Sequence, residues 1–224
     1  MRTRKPGRRA DIARAALTVF TRQGFRLTQM ADVAREAGVS AGTLYSYVEG
    51  KEALFELALQ VALERLPLDE EELRLVGPSA LGAWLTGELR GAVNWPRLMT
   101  ATRTGMPIPK PEPVIEELFD LLTRHRHLIW LLDRCANEIP ELAGVYESEV
   151  RDRYIAKFAA FVGRSPAFQR AEPGVTAATA RALMEMVAWM AMHRLRDRLP
   201  PACTTEEAKQ AVVAIATGRL SGTP

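Results

Sequence analysis

The stretch "MADVAREAGVSAGTLYSYVEGKEALF", residues 30 to 55, constrains the fold more than any other part of the chain. Its apolar spacing predicts two short helices separated by Gly38-Val39-Ser40, with a third helix beginning near Lys51. Gly38 permits a left-handed turn at the end of the first helix. Ser40 is placed to cap the second, and Val39 and Leu44 have the spacing of a hydrophobic staple around that cap. Val33, Val39, Leu44 and Val48 can then share a small core. Two helices set this way around a tight turn form a helix-turn-helix.

The second helix is unusual on its outer side. Ala41, Gly42, Thr43, Tyr45, Ser46 and Tyr47 stand where a helix kept soluble by its surface would carry Glu and Lys. Small side chains and hydroxyls suit entry into a DNA major groove, which is about 12 Å wide. Gly42 allows close approach, and Thr43 and Tyr45 offer hydroxyl, methyl and ring contacts to base edges. Ala41 lies on the same exposed side. Ser46, Tyr47 and Lys51 are placed to reach phosphates, as are Thr28 and Ser40 at helix N-termini. Thr28 is expected to cap the helix beginning at Met30.

Charge supports a polyanionic partner. Residues 1–51 hold ten Lys or Arg against four Asp or Glu, a net +6, while the remainder is net −3. A basic first quarter on a mildly acidic body points to nucleic acid. Residues 1–7 read as a basic arm expected to be disordered. The two cysteines, Cys135 and Cys203, follow no metal or redox spacing and read as reduced thiols. The basic start lacks the uninterrupted apolar segment of a signal peptide, and no run is long enough to span a bilayer, so a cytoplasmic protein is expected.

No strand pattern or repeat is visible, and the periodicity is helical throughout. The first helix should span Arg8 to Gln23 and stop at Gly24. Lys51 to about Leu66 should form a linking helix, broken at Pro67. Further helices are expected over 79–92 with a short continuation towards 105, over 113–137, from Pro140 to about 163, over 175–199, and over 205–220. The expected fold is all-α: a helix-turn-helix domain over 1–50, then a helical effector-binding and dimerisation domain over 51–224, with 51–66 as the link.

At "AALTVFTRQGF" followed by "LTQMADVAREAGVSAGTLYSYVEGKEALF", the sequence resembles the DNA-binding domain of the TetR family of bacterial one-component regulators. The likeness covers residues 8–60. Ala41 stands where a lysine is common in that family and Val48 where Phe is frequent; Glu49 and Gly50 replace a basic or polar residue and a usual cap. The resemblance implies a homodimer joined through its last two helices, a palindromic double-stranded operator, and a repressor released by a small-molecule effector.

The residues give independent grounds for some of this. The 175–199 segment is apolar on nearly every side between Ala180 and Met192, which fits a helix pair across a twofold axis or the central helix of a monomer. Trp130, Arg134 and Asn137 share one helix face at i, i+4 and i+7. With Trp95, Met99, Phe119, Tyr154, Met186 and Trp189 they form a candidate effector site for an apolar or aromatic molecule, although each is as readily read as core packing. His125 and His127 are spaced for different faces rather than for one metal, and no nucleophile triad or phosphate-binding glycine loop is present. No enzyme activity, cofactor or metal is expected. Two alternatives are a ligand-independent architectural DNA binder and a small-molecule-binding protein with a vestigial helix-turn-helix.

Overall fold

A computed structural model describes residues 7–65, 75–103 and 105–222. The described residues are helical and contain no strand. Twelve α-helices follow in order: α1 Arg8–Gln23, α2 Met30–Glu36, α3 Ala41–Tyr45, α4 Lys51–Ala62, α5 Pro78–Ala92, α6 Pro96–Ala101, α7 Pro111–Arg124, α8 Arg126–Cys135, α9 Pro140–Tyr146, α10 Arg153–Arg164, α11 Pro173–Ala191 and α12 Thr205–Ser221. The arm over 1–6 and most of the segment after Arg65 lie outside the described residues. None of the described helices is long and apolar enough to cross a membrane.

The chain divides into two compact units. The first contains Met1–Ala92 and His127–Glu149. In it α1 packs on α4 and α2, α2 on α3, and α5 on α9. Phe20 of α1 meets Phe55 of α4 edge-on at 5.2 Å, and Phe25 meets Phe55 at 5.4 Å. Such ring contacts contribute about 0.5–1.5 kcal/mol beyond the area they bury. The second unit contains Val93–Arg126 and Val150–Pro224. There α11 packs on α10, α12 and α7, while α12 also lies on α7. Its core holds Trp95 against Phe158, with ring centroids 5.5 Å apart, and the Trp95 indole N–H donates to the Val114 carbonyl at 3.1 Å.

Several helices end where their sequence dictates. Gly24 closes α1 at φ 86°, and its N–H reaches the Phe20 carbonyl. Thr204 and Glu207 form the capping box of α12; accepting the Thr204 N–H, and then its hydroxyl, holds the Glu207 carboxyl below its usual range.

Other boundaries depart from expectation. The helix expected over 113–137 is two helices broken at His125, followed by a 3-10 turn over Ala136–Glu138. α7 buries Val114, Ile115, Leu118 and Phe119, and α8 buries Leu128, Ile129, Leu131, Leu132 and Cys135, a stripe centred about a quarter turn away on an unbroken helix. The helix beginning at Pro140 contains a π-helical stretch, Glu147–Asp152, between α9 and α10. The 175–199 helix ends early, at Ala191. There the buried Arg194 turns its guanidinium onto the Met190 carbonyl at 2.6 Å and the Thr205 hydroxyl at 3.0 Å, capping the end of α11.

Candidate nucleic-acid interface

The turn between α2 and α3 forms as its glycine requires. Gly38 adopts φ 63°, the Val39 N–H reaches the Ala34 carbonyl at 2.9 Å, and the Gly38 N–H reaches that of Arg35 at 3.2 Å. This is a Schellman closure. Ser40 then caps α3, its hydroxyl accepting the Thr43 N–H at 3.1 Å. Leu44 and Val33 are fully buried and Val48 nearly so, while Val39 is half-buried. One face of α3 is thereby fixed inward, and the opposite face is fixed outward.

On that outer face Ala41, Gly42, Tyr45 and Ser46 are exposed, Tyr45 at 55%. Nothing inside the chain requires glycine at position 42. Its backbone is not left-handed, and a Cβ there would meet only the Ser40 hydroxyl, 4.0 Å away. Thr43 and Tyr47 are half-buried. The Thr43 hydroxyl lies 2.9 Å from that of Ser40, and Ser46 donates its hydroxyl to the Thr43 carbonyl at 2.6 Å. These contacts fix the rotamers of the small hydroxyl residues.

Two expected contact residues are placed differently. Thr28 is only 2% exposed, and its hydroxyl donates to the Gly24 carbonyl at 2.6 Å. It neither caps α2 nor faces outward. The cap residue is Gln29, whose N–H donates to the Asp32 carboxylate at 3.1 Å. Lys51 directs its ammonium to the Arg26 carbonyl at 3.1 Å and over the Phe25 ring at 4.7 Å. One of its three donors thus holds the turn between α1 and α2.

A contact absent from the sequence reading secures the same turn. Arg134, near the end of α8, donates to the Gln23 carbonyl at 2.7 Å, and Glu138 accepts the Arg26 N–H at 2.7 Å. The two side chains pair at 3.6 Å. Their i, i+4 spacing is legible in the sequence, but their partners, 111 and 112 positions away, are not. Cys135 lies beside them, donating to the Phe20 carbonyl at 3.5 Å; burial, and then the Glu138 charge, push its thiol up to about 12.

The expected effector residues are divided between the two units. Trp130, Arg134 and Asn137 lie in the first unit, with Arg134 engaged by the turn and Asn137 in the 3-10 turn after α8. Trp95, Met99, Phe119, Tyr154, Met186 and Trp189 lie in the second. Trp95, Phe119 and Tyr154 are core residues, and the Tyr154 hydroxyl donates to the Val93 carbonyl. Trp189 is 39% exposed.

The profile described as "Bacterial regulatory proteins, tetR family" matches residues 12–58, the stretch from α1 into α4. Residues 12–58 are therefore a tetR-family regulatory domain. The chain's likeness to curated relatives is concentrated in the same region. It is 43% identical over 60 residues to the "Uncharacterized HTH-type transcriptional regulator YfiR" of Bacillus subtilis, covering 27% of this chain and 29% of that one. It is 36% identical over 62 residues to the "HTH-type transcriptional repressor KstR2" of Rhodococcus jostii, covering 28% and 30%. The match thus spans under a third of the length of either relative. The fold extends the likeness: a TetR-like transcriptional regulator from Rhodococcus sp. RHA1 superposes with a TM-score of 0.53 over 99% of this chain and 100% of that one, at 22% identity. The chain therefore shares its head with named regulators and its fold with a solved structure.

Proposed function

We propose that this chain is a DNA-binding transcriptional repressor of the tetR family that reads a palindromic operator as a homodimer and leaves it when a small molecule binds. The observation that carries the reading is the outer face of α3, which is exposed, free of charge and built of Ala41, Gly42, Tyr45 and Ser46 on a helix locked by the Ser40 cap and Leu44. A surface kept only for solubility has no use for that composition. A major groove does: small side chains let the helix approach the base edges, and the Tyr45 hydroxyl and ring supply contacts there.

Residues 1–50 form the reading domain in this proposal and 51–224 the effector and dimerisation domain. Ser40, Thr43, Ser46, Tyr47 and Lys51 contact the backbone or base edges around Gly42 and Tyr45. Two copies place their α3 helices about 34–36 Å apart, matching half-sites one helical turn apart. A small molecule releases the protein only if it binds the released form more tightly than the operator-bound form. The operator's phosphates attract the basic first quarter, so affinity falls steeply as salt rises.

Footprinting on the DNA upstream of the chain's own gene tests this. A protected, twofold-symmetric stretch is expected at low salt. Tyr45→Ala should weaken binding by roughly tenfold or more, the scale of a lost base contact. No protection at low salt, or protection unchanged by Tyr45→Ala, overturns the reading.

A further inference from the structure

Behind the turn joining α1 to α2, the first unit contains a cavity of about 340 Å³. That volume falls within the range of small-molecule sites, about 300–1,000 Å³. Phe25, Phe55, Leu81 and Ile139 give it apolar walls. Four of its eleven lining residues are glutamates, and none is Lys, Arg or His. The lining therefore sets formal negative charge, with no cationic side chain among the lining residues, beside an apolar surface.

Two of the four carboxylates are already engaged. Glu56, 1% exposed, accepts the N–H groups of Val76 at 2.7 Å and Gly77 at 3.2 Å, and Glu138 is held by Arg26 and Arg134. The other two, Glu52 in the first turn of α4 and Glu141 in the first turn of α9, make no hydrogen bond or ion pair with the described residues. They approach the cavity from different helices, so their charges converge there through tertiary structure. The described residues contain no group of three or more His, Cys, Asp or Glu arranged to hold a metal ion. An inorganic cation would leave the apolar walls without a partner.

We propose that this cavity binds an organic monocation, an amine or quaternary ammonium with an apolar body, its charge held by Glu52 and Glu141 and its body against Phe55 and Leu81. The site also has a mechanical connection. Phe25 and Glu138 line the cavity, and Glu138 holds the Arg26 N–H of the turn leading into α2. An occupant that competes for Glu138 loosens that turn. This last consequence rests on the DNA-binding reading above; occupancy itself does not.

Benzyltrimethylammonium is a suitable probe, with uncharged neopentylbenzene as its isostere and benzenesulfonate as the opposite charge. Binding to the full chain without DNA is followed by ligand-observed NMR, which is independent of any operator. Saturable binding is expected for the ammonium, at least about tenfold weaker for the neutral isostere, and absent for the sulfonate. Glu52→Gln with Glu141→Gln should weaken the ammonium by roughly tenfold while leaving the melting temperature in place, because both residues are exposed and unpaired. Leu81→Trp, which fills the floor, should abolish binding. Equal binding of ammonium and isostere, no saturable binding, or an affinity untouched by the glutamate variants overturns the proposal.

Discussion

Gly24→Ala probes how firmly the helix-turn-helix is fastened to the helix that ends at Cys135. Gly24 sits at φ 86° and ψ 169°, a region essentially open to glycine alone. Holding another residue there costs about 1–3 kcal/mol. A Cβ would also lie 3.0 Å from the Arg134 guanidinium carbon and 3.0 Å from both Glu138 carboxylate oxygens. Both are ends of flexible side chains, so they swing aside rather than transmit strain. The loss is then their bonds to the Gln23 carbonyl and the Arg26 N–H, together about 1–2 kcal/mol for partly exposed groups. The combined destabilisation is about 2–5 kcal/mol, which lowers the melting temperature by about 5–15 °C in a chain of this length. Thermal unfolding followed by circular dichroism measures it. Repeating the substitution in an Arg134→Ala, Glu138→Ala chain leaves only the backbone strain, so the double-mutant coupling should be about 1–2 kcal/mol. A melting temperature within about 2 °C of the parent would falsify the left-handed requirement. An undiminished effect in the Arg134, Glu138 background would dismiss the clasp.

Ser40→Ala removes the hydroxyl that accepts the Thr43 N–H and should destabilise the head by about 1 kcal/mol, while Ser40→Gly should cost only a few tenths; urea denaturation separates the two. Cys135 and Cys203 should differ in reactivity: at pH 8 a thiol reagent labels the half-exposed Cys203 and leaves Cys135 untouched until the chain unfolds. The same raised thiol makes stability fall with pH. The folded state keeps a proton that the unfolded chain loses above its ordinary 9.0, so this contribution is complete below pH 9 and declines towards pH 12; Cys135→Ala should flatten the stability profile over that window.

Where local chemistry alone decides, the sequence is a reliable guide. α1 runs from Arg8 to Gln23 as its apolar spacing and Gly24 require, and the Gly38 turn and Ser40 cap form from signals within a few residues of each other. Thr28 has the side chain of a cap, yet Gln29 takes that position in α2. Packing settles it by drawing Thr28 onto the Gly24 carbonyl. The break at His125 was hidden because each half of 113–137 is a good helix; only the side on which each half finds neighbours separates them. The candidate effector residues are alike in chemical type, and which of the two units each one occupies is set by packing between distant segments. The glutamate-lined cavity is not legible in the sequence for the same reason: Glu52 and Glu141 lie far apart along the chain, each in the first turn of its own helix.

The outer side of α11 bears on the homodimer proposed above. The helix buries Ala180, Leu183, Val187 and Ala191 within its own unit. Val175, Ala178, Ala182 and Trp189 stand exposed, at spacings that put them on one other face, and Ile215 of α12 is 58% exposed. Glu185, paired with Arg181 at 2.5 Å, sits within this otherwise apolar face; in the homodimer proposed above, a self-complementary contact across a twofold axis covers it. Trp189→Glu and Ile215→Glu each place a charge in that contact, and sedimentation velocity should show a dimer for the parent chain and monomer for the variants. Both positions lie in the second unit, so the helix-turn-helix should stay folded, with α3 helicity and thiol protection at Cys135 unchanged. Operator affinity should nevertheless fall by roughly a hundredfold, since a monomer loses the effective concentration that couples the two half-sites. Dimers persisting in both variants would move the interface elsewhere, and undiminished operator binding by a monomer would remove the twofold reading of DNA.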